Sequence, residues 1–305
     1  YGDIISFDCS SNYANLTALD PSHNTQLTEL WCNNNTLTSL DVSGCTQLTK
    51  LSCSSNTLSS LNVSQNTQLK YLNCSYNTLS SLNVSGCTQL TKLECFKNTL
   101  TSLDVSGCTQ LTKLECFKNT LTSLDVSGCT QLTKLECFNN TLTSLDVSGC
   151  TQLTELYCSN NTLNSLDVSG CTQLTRLFCN NNNLSNLDIS HNTQLTGLFC
   201  HGNNFSTAAL DDIYCTLPDR TGNTNGKIMP VKNSSDPNHA TVLATNAQNA
   251  IDKNWNVLYD DGGADIPTTG SYDCSTAVAE AAAEPALTLY PNPVADVLYL
   301  SATAR

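Results

Sequence analysis

The chain has 305 residues, and 26 acidic against 13 basic side chains leave a formal net charge of −13. So acidic a chain, only 13% of it charged, lacks the clustered Lys and Arg that a nucleic-acid or anionic-membrane partner needs. No run of about 18 apolar residues occurs, so no transmembrane helix is expected.

The chain begins at Tyr1 rather than Met, as expected of a processed chain or of one written without its leader. A 21-residue phrase then fills residues 1–204, with Cys32, Cys53, Cys74, Cys95, Cys116, Cys137, Cys158, Cys179 and Cys200 at its pitch. Cys9 starts the series, with a longer first gap of 23 residues to Cys32, which makes ten coils. Three residues beyond each cysteine stands an Asn, from Asn12 to Asn203. One coil reads Leu111-x-x-Leu114-x-Cys116-x-x-Asn119-x-Leu121, then Leu124-x-Val126. This is the leucine-rich repeat template with Cys in the third apolar slot.

The spelling predicts a short strand in each coil, with Leu114 and Cys116 inward and Lys113, Glu115 and Phe117 outward. Stacked coils form a parallel concave sheet. The second half of each coil has no 3.6-residue period, so the convex side is expected to be extended or short-stranded, without helices. The Asn column is placed to bond loop amides that stacking buries. One coil cannot bury enough apolar surface alone, so stability comes from stacking. The first coil is atypical, with Ile4 and Phe7 in leucine slots.

Of 18 cysteines, ten lie in the strand series and six (Cys45, Cys87, Cys108, Cys129, Cys150, Cys171) precede the Thr-Gln-Leu turn. Asn24, Asn66 and Asn192 replace the second kind, which points to a polar turn role such as a weak S–H bond. Strand-spaced cysteines sit wider apart than a disulfide prefers, and no CxxC or CxxH pair suggests a metal. Both series are therefore expected to be reduced, buried thiols. Cys215 and Cys274 lie outside the repeat, and a disulfide between them is left open.

A binding surface is expected on the concave face. Trp31, Tyr157, Phe178 and Phe199 precede the strand cysteine; Phe96, Phe117 and Phe138 follow it; Tyr71 and Tyr76 lie between the two groups. Lys92, Lys113 and Lys134 form one column and Glu94, Glu115 and Glu136 the next, with Glu155 and Arg176 continuing the band. Rings as anchors and charges as a selective rim suit a protein ligand. The same rings stack on sugars, or merely stabilise the sheet. The Asp column, Asp104 and Asp125 among it, reads as backbone capping rather than calcium ligation, because Asn62 and Asn83 take the same place. No GxSxG, HExxH or phosphate-cradling loop occurs. The four histidines are dispersed, and His201 is the one expected on the outward face. No catalytic residue, cofactor or metal is expected.

Past Asn204 the composition changes. A helix at "STAALDDIYCTLP" capped by Ser206, a strand at "GKIMPV", a second helix at "HATVLATNAQNAIDKNW" and a strand at "NVLYD" predict an α/β cap over 205–262. Residues 263–286 read as linker.

The repeat resembles the 21-residue leucine-rich repeats of internalin-J-like surface proteins, whose stacked cysteines form a ladder. "LYPNPVADVLYL" at 289–300 resembles the start of the C-terminal sorting domain of type IX secretion substrates in Bacteroidota, which makes 287–305 the beginning of a truncated sorting domain. Together these resemble the internalin-J-like proteins of Porphyromonas and its relatives. The resemblance implies export by the type IX machinery, display at the outer-membrane surface, and adhesion, host-cell contact or biofilm formation. A self-associating matrix protein is the structural alternative.

Overall fold

A computed structural model describes residues 4–10, 15–275, 288–291 and 298–301. Ten short strands recur at the repeat's pitch: β1 (Ser6–Asp8), β2 (Glu29–Trp31), β3 (Lys50–Ser52), β4 (Tyr71–Asn73), β5 (Lys92–Glu94), β6 (Lys113–Glu115), β7 (Lys134–Glu136), β8 (Glu155–Tyr157), β9 (Arg176–Phe178) and β10 (Gly197–Phe199). Each opens one coil of the same number. Neighbours pair parallel with like residue on like, as in Leu93↔Leu114 and Glu94↔Glu115.

The apolar template explains the core. In coil six Leu111, Leu114, Cys116, Leu121, Val126 and Cys129 are all fully buried. The opposite side carries single parallel bridges, Asp41↔Asn62 through Asp125↔Asp146, and, among the described residues, no helix. The extended convex side is therefore as the missing helical period implied. Phe7 stands in register with Leu30 yet stays exposed, as do Ile4 and Ile5.

Two ladders of polar bonds join the coils. Asn119 Nδ2 donates to the carbonyls of Cys95 and Cys116, and its Oδ1 accepts from Leu100 N–H, at 2.9–3.1 Å. One side chain thus satisfies three buried backbone groups in two coils, which explains why Asn recurs. The same pattern runs from Asn35 to Asn203; Asn12 lies outside the described residues. In the second series Cys129 Sγ lies 3.5 Å from Val105 O. Asn66 Nδ2 takes the equivalent bond to Val42 O at 3.0 Å. That shared carbonyl is the polar turn role the Cys-to-Asn replacements implied.

The cap continues the sheet. Helix α1 (Thr207–Thr216) starts at Ser206, whose hydroxyl accepts from Ala209 N–H. Strands β11 (Gly226–Val231) and β12 (Trp255–Tyr259) add to β10 in sequence order, giving one 12-stranded parallel sheet. Two expectations need correction. The second helix is two short ones, α2 (His239–Leu243) and α3 (Gln248–Ile251). Between them Asn246 N–H donates to Asp211 Oδ1 and Ala247 N–H to Thr268 Oγ1, so side chains outbid the helical carbonyls.

The presumed linker also packs onto the cap as far as Cys274. Ile266 is buried, and Thr269 and Gly270 N–H donate to Leu243 and Thr245 carbonyls. A Cβ on Gly270 would sit 2.2 Å from Ala244 O, so the close approach requires glycine. Cys215 and Cys274 are disulfide-bonded. Within the tail, β13 (Thr288–Pro291) and β14 (Leu298–Ser301) pair antiparallel.

Candidate functional site on the sheet face

Alternation along each strand puts three columns on the outer sheet face: three before, one before and one after the strand cysteine. Coils five to seven fill them with Lys, Glu and Phe. Phe96, Phe117 and Phe138 stack face to face, each pair 4.3 Å apart at 9–10°. Coils eight to ten move the rings to the middle column, where Tyr157–Phe178 and Phe178–Phe199 stack at 4.5 and 4.0 Å. Trp31 and Tyr71, two coils apart, lie 5.9 Å from each other and tilted. The rings thus form a stepped band rather than one stripe. Within each stack the faces cover one another, so Phe117 and Phe178 present chiefly their edges to solvent.

The charges are paired within the face. Lys92 bonds Glu94 and Lys113 bonds Glu115. Lys134 bridges Glu136 at 2.9 Å and Glu155 at 3.4 Å, and Arg176 meets Glu155 from the other side. Lys50 bonds Glu29 across strands. Glu94 and Glu115 were expected as a solvent-facing rim; both are only 9% exposed. The lysine of the same strand caps each of them, and the neighbouring columns close over the stem. Tyr71 Oη donates to Glu94 Oε2 at 3.0 Å. Burial, with the Glu94 charge beside it, pushes the Tyr71 phenol up to about 12.

Coils two to ten carry eight of the chain's 13 cations, on this face, at its edge and in the turns behind it (Lys50, Lys70, Lys92, Lys97, Lys113, Lys118, Lys134, Arg176). The same face carries five of the 26 carboxylates (Glu29, Glu94, Glu115, Glu136, Glu155). The acidic molecule therefore shows a locally cationic face. All five carboxylates are bonded, which leaves Lys70, at the edge of the face, and Lys97 and Lys118, in the turns, without an ion pair among the described residues. Lys97 instead donates to Tyr76 Oη at 2.8 Å, its ammonium 4.1 Å from the ring centre. Tyr76 in turn meets Phe96 edge-on at 5.4 Å. Lys97 and Lys118 belong to the column after the phenylalanines, whose backbone is left-handed in every coil from Asn34 to Gly202.

His201, expected outward, is buried. The cap strands extend the sheet past it, and its Nε2 lies 3.3 Å from Asp260 Oδ2. Burial lowers its pKa against the opposing pull of Asp260. The sixteen repeat cysteines are all free and buried. Burial pushes Cys116 and Cys179 up to about 12, so the thiols stay protonated and unreactive near neutral pH. No cluster that would hold a metal occurs among the described residues. Asp125 accepts from Ser127 N–H and Oγ, at 2.9 and 2.7 Å, which is the capping role its column suggested. A groove of about 730 Å³ opens on the opposite side between Leu166, Leu187 and α1. Its Asp167, Asp188 and Asp212 are committed to bonds with Ser169, Ser190 and Tyr272.

Comparison with known proteins agrees with this architecture. A family model for the Leucine Rich repeat matches residues 33–50 and 138–154. No curated protein sequence matches. Among solved structures, the functional domain of InlJ from Listeria monocytogenes, described as including a cysteine ladder, is 33% identical over 84% of this chain and 68% of that one, with a TM-score of 0.52. The internalin InlF of the same species, at 22% identity and 70% coverage of both chains, and the plant peptide hormone receptor RGFR1 in complex with RGF2, at 23% over 68% of this chain and 36% of that one, share the fold, each with a TM-score of 0.59. With its leucine periodicity, its buried thiol column and this likeness, the chain belongs to the internalin-like leucine-rich repeat proteins.

Proposed function

We propose that this protein is exported to the cell surface and binds a protein partner non-covalently through the outer sheet face, in adhesion, host-cell contact or biofilm formation. The observation that carries the reading is the composition of that face. It gathers half-buried rings and most of the repeat's cations on an otherwise acidic molecule, while the opposite side repeats Asp, Ser and Thr. A band of ordered aromatics rimmed by charge is what protein hot spots are made of. RGFR1, in complex with RGF2, shares the fold. The resemblance of residues 289–300 to the start of a sorting domain supports export by the type IX machinery.

A carbohydrate ligand fits less well. Sugars pack on open ring faces, and the stacks in coils five to seven and eight to ten cover theirs. The 305-residue chain, presented to arrays of extracellular proteins and of glycans, is expected to bind at least one protein. Binding confined to glycans, or self-association alone, would contradict the reading.

A further inference from the structure

We propose that the corner formed by Tyr76, Lys97 and Lys118, beside the edges of Phe96 and Phe117, docks an extended acidic segment of a partner protein. The proposal rests on the reading of the sheet face as a protein-binding surface, and narrows it to coils four to six and to one ligand chemistry.

The repeat supplies its own control. The turn position two residues after the strand cysteine is left-handed in each coil, a conformation that Gly and Asn adopt more cheaply than other residues. Asn34, Asn139, Asn160, Asn181 and Gly202 take it with φ of 53–64°. Ser55, Tyr76, Lys97 and Lys118, in four successive coils, hold it with φ of 51–54° without being Asn or Gly, and the last three bring large side chains to it. The chain thus forgoes the more stable residue in adjacent coils where neighbours elsewhere use it. Strain held in one patch of an otherwise regular repeat is a mark of function.

The second observation is electrostatic. The carboxylates of the same coils, Glu94 and Glu115, are already neutralised by Lys92 and Lys113. Lys97 and Lys118 remain as uncompensated cations, and Tyr76 is 46% exposed beside them. The stacked phenylalanines turn ring edges outward, and the edge is the positive part of the ring quadrupole. Cations and ring edges side by side attract carboxylates. An acidic segment lying along the solenoid axis meets all three turns in succession, with Tyr76 Oη as an added hydrogen-bond partner.

The test measures fluorescence anisotropy of a labelled twelve-residue peptide alternating Glu and Tyr, with the full chain, against its Lys–Tyr counterpart and against heparin. The acidic peptide is expected to bind and the basic one not. The Lys97→Asn/Lys118→Asn double variant should weaken binding by about tenfold and flatten its salt dependence. Its melting temperature should hold or rise, because Asn suits the turn better. Lys232→Asn, on the cap, should bind as the parent does. Equal affinity for both peptides, full binding by the double variant, or heparin binding without peptide binding would overturn the proposal. A protein partner lost by Phe96/Phe117/Phe138→Ala but kept by the lysine variant would sink this proposal alone. A partner kept by both would sink the sheet-face reading as well.

Discussion

Single side chains in this protein are read best against their counterparts one coil away. Asn119 bonds three backbone groups that have no water to turn to. Asn119→Ala leaves those groups buried and unpaired, and is expected to cost roughly 2–4 kcal/mol, read as a shifted denaturant midpoint. Lys97→Asn and Lys118→Asn act the other way, each stabilising by roughly 0.5–1 kcal/mol through relief of the left-handed turn. The thiols are equally specific. Thiol reagent should titrate sixteen cysteines in denaturant without reductant, and essentially none in the native state; the sixteen are the free, buried repeat cysteines. A denatured count near four would mean that the ladders are bridged.

At the scale of elements, the strands follow directly from the alternation of Leu and Cys with charged or aromatic residues. The register needed no further information, because every coil repeats the same letters. Legibility failed where distant segments meet. No local pattern in residues 239–255 announces that Asp211 and Thr268 will take the amides of Asn246 and Ala247 and divide the helix. Nor does the polar composition of 263–274 show that Ile266 and Cys274 tie it to the cap. The Cys215–Cys274 bond closes a loop with a sequence separation of 59. On the chain-entropy account it stabilises the cap by about 4 kcal/mol. Reductant, or Cys215→Ser, should lower the cap's melting transition while leaving the signal of coils two to nine in place.

On the sheet face the residue columns were legible, but their contacts were not. That Phe faces would close on one another, that Glu94 would be buried and that His201 would lie beneath the cap all depend on side-chain packing across coils. The left-handed column was visible in principle, since Asn34, Asn139, Asn160 and Asn181 align with Lys97 and Lys118; only the backbone angle gives that alignment its meaning.

For the whole molecule, repetition multiplies a small effect. Burial raises each repeat thiol above the value of 9.0 for a free one, Cys87 and Cys129 to about 11 and Cys74 to about 12. A group whose folded pKa is raised contributes stability that is whole below the unfolded value and is lost as pH rises through the folded one. Each thiol adds a slope of up to about 1.4 kcal/mol per pH unit in that window. With sixteen of them in one cooperative stack, denaturant midpoints should be level up to about pH 9 and collapse between roughly pH 9 and 11. A midpoint unchanged at pH 11 would contradict the buried, reduced ladder. The Asp column tilts the other end weakly: bonds from Ser106 lower Asp104, so its contribution fades as pH falls below the ordinary value of 3.8.

Recognition of a protein by the outer sheet face is decided by measuring, for any protein partner found on the arrays, the affinity of the parent and of Phe96/Phe117/Phe138→Ala. Loss of the three rings removes the middle of the aromatic band while the leucine and cysteine core remains. Binding weaker by at least about a hundredfold is expected, with the sheet's circular dichroism retained. Equal affinity of a folded triple variant would contradict recognition by this face.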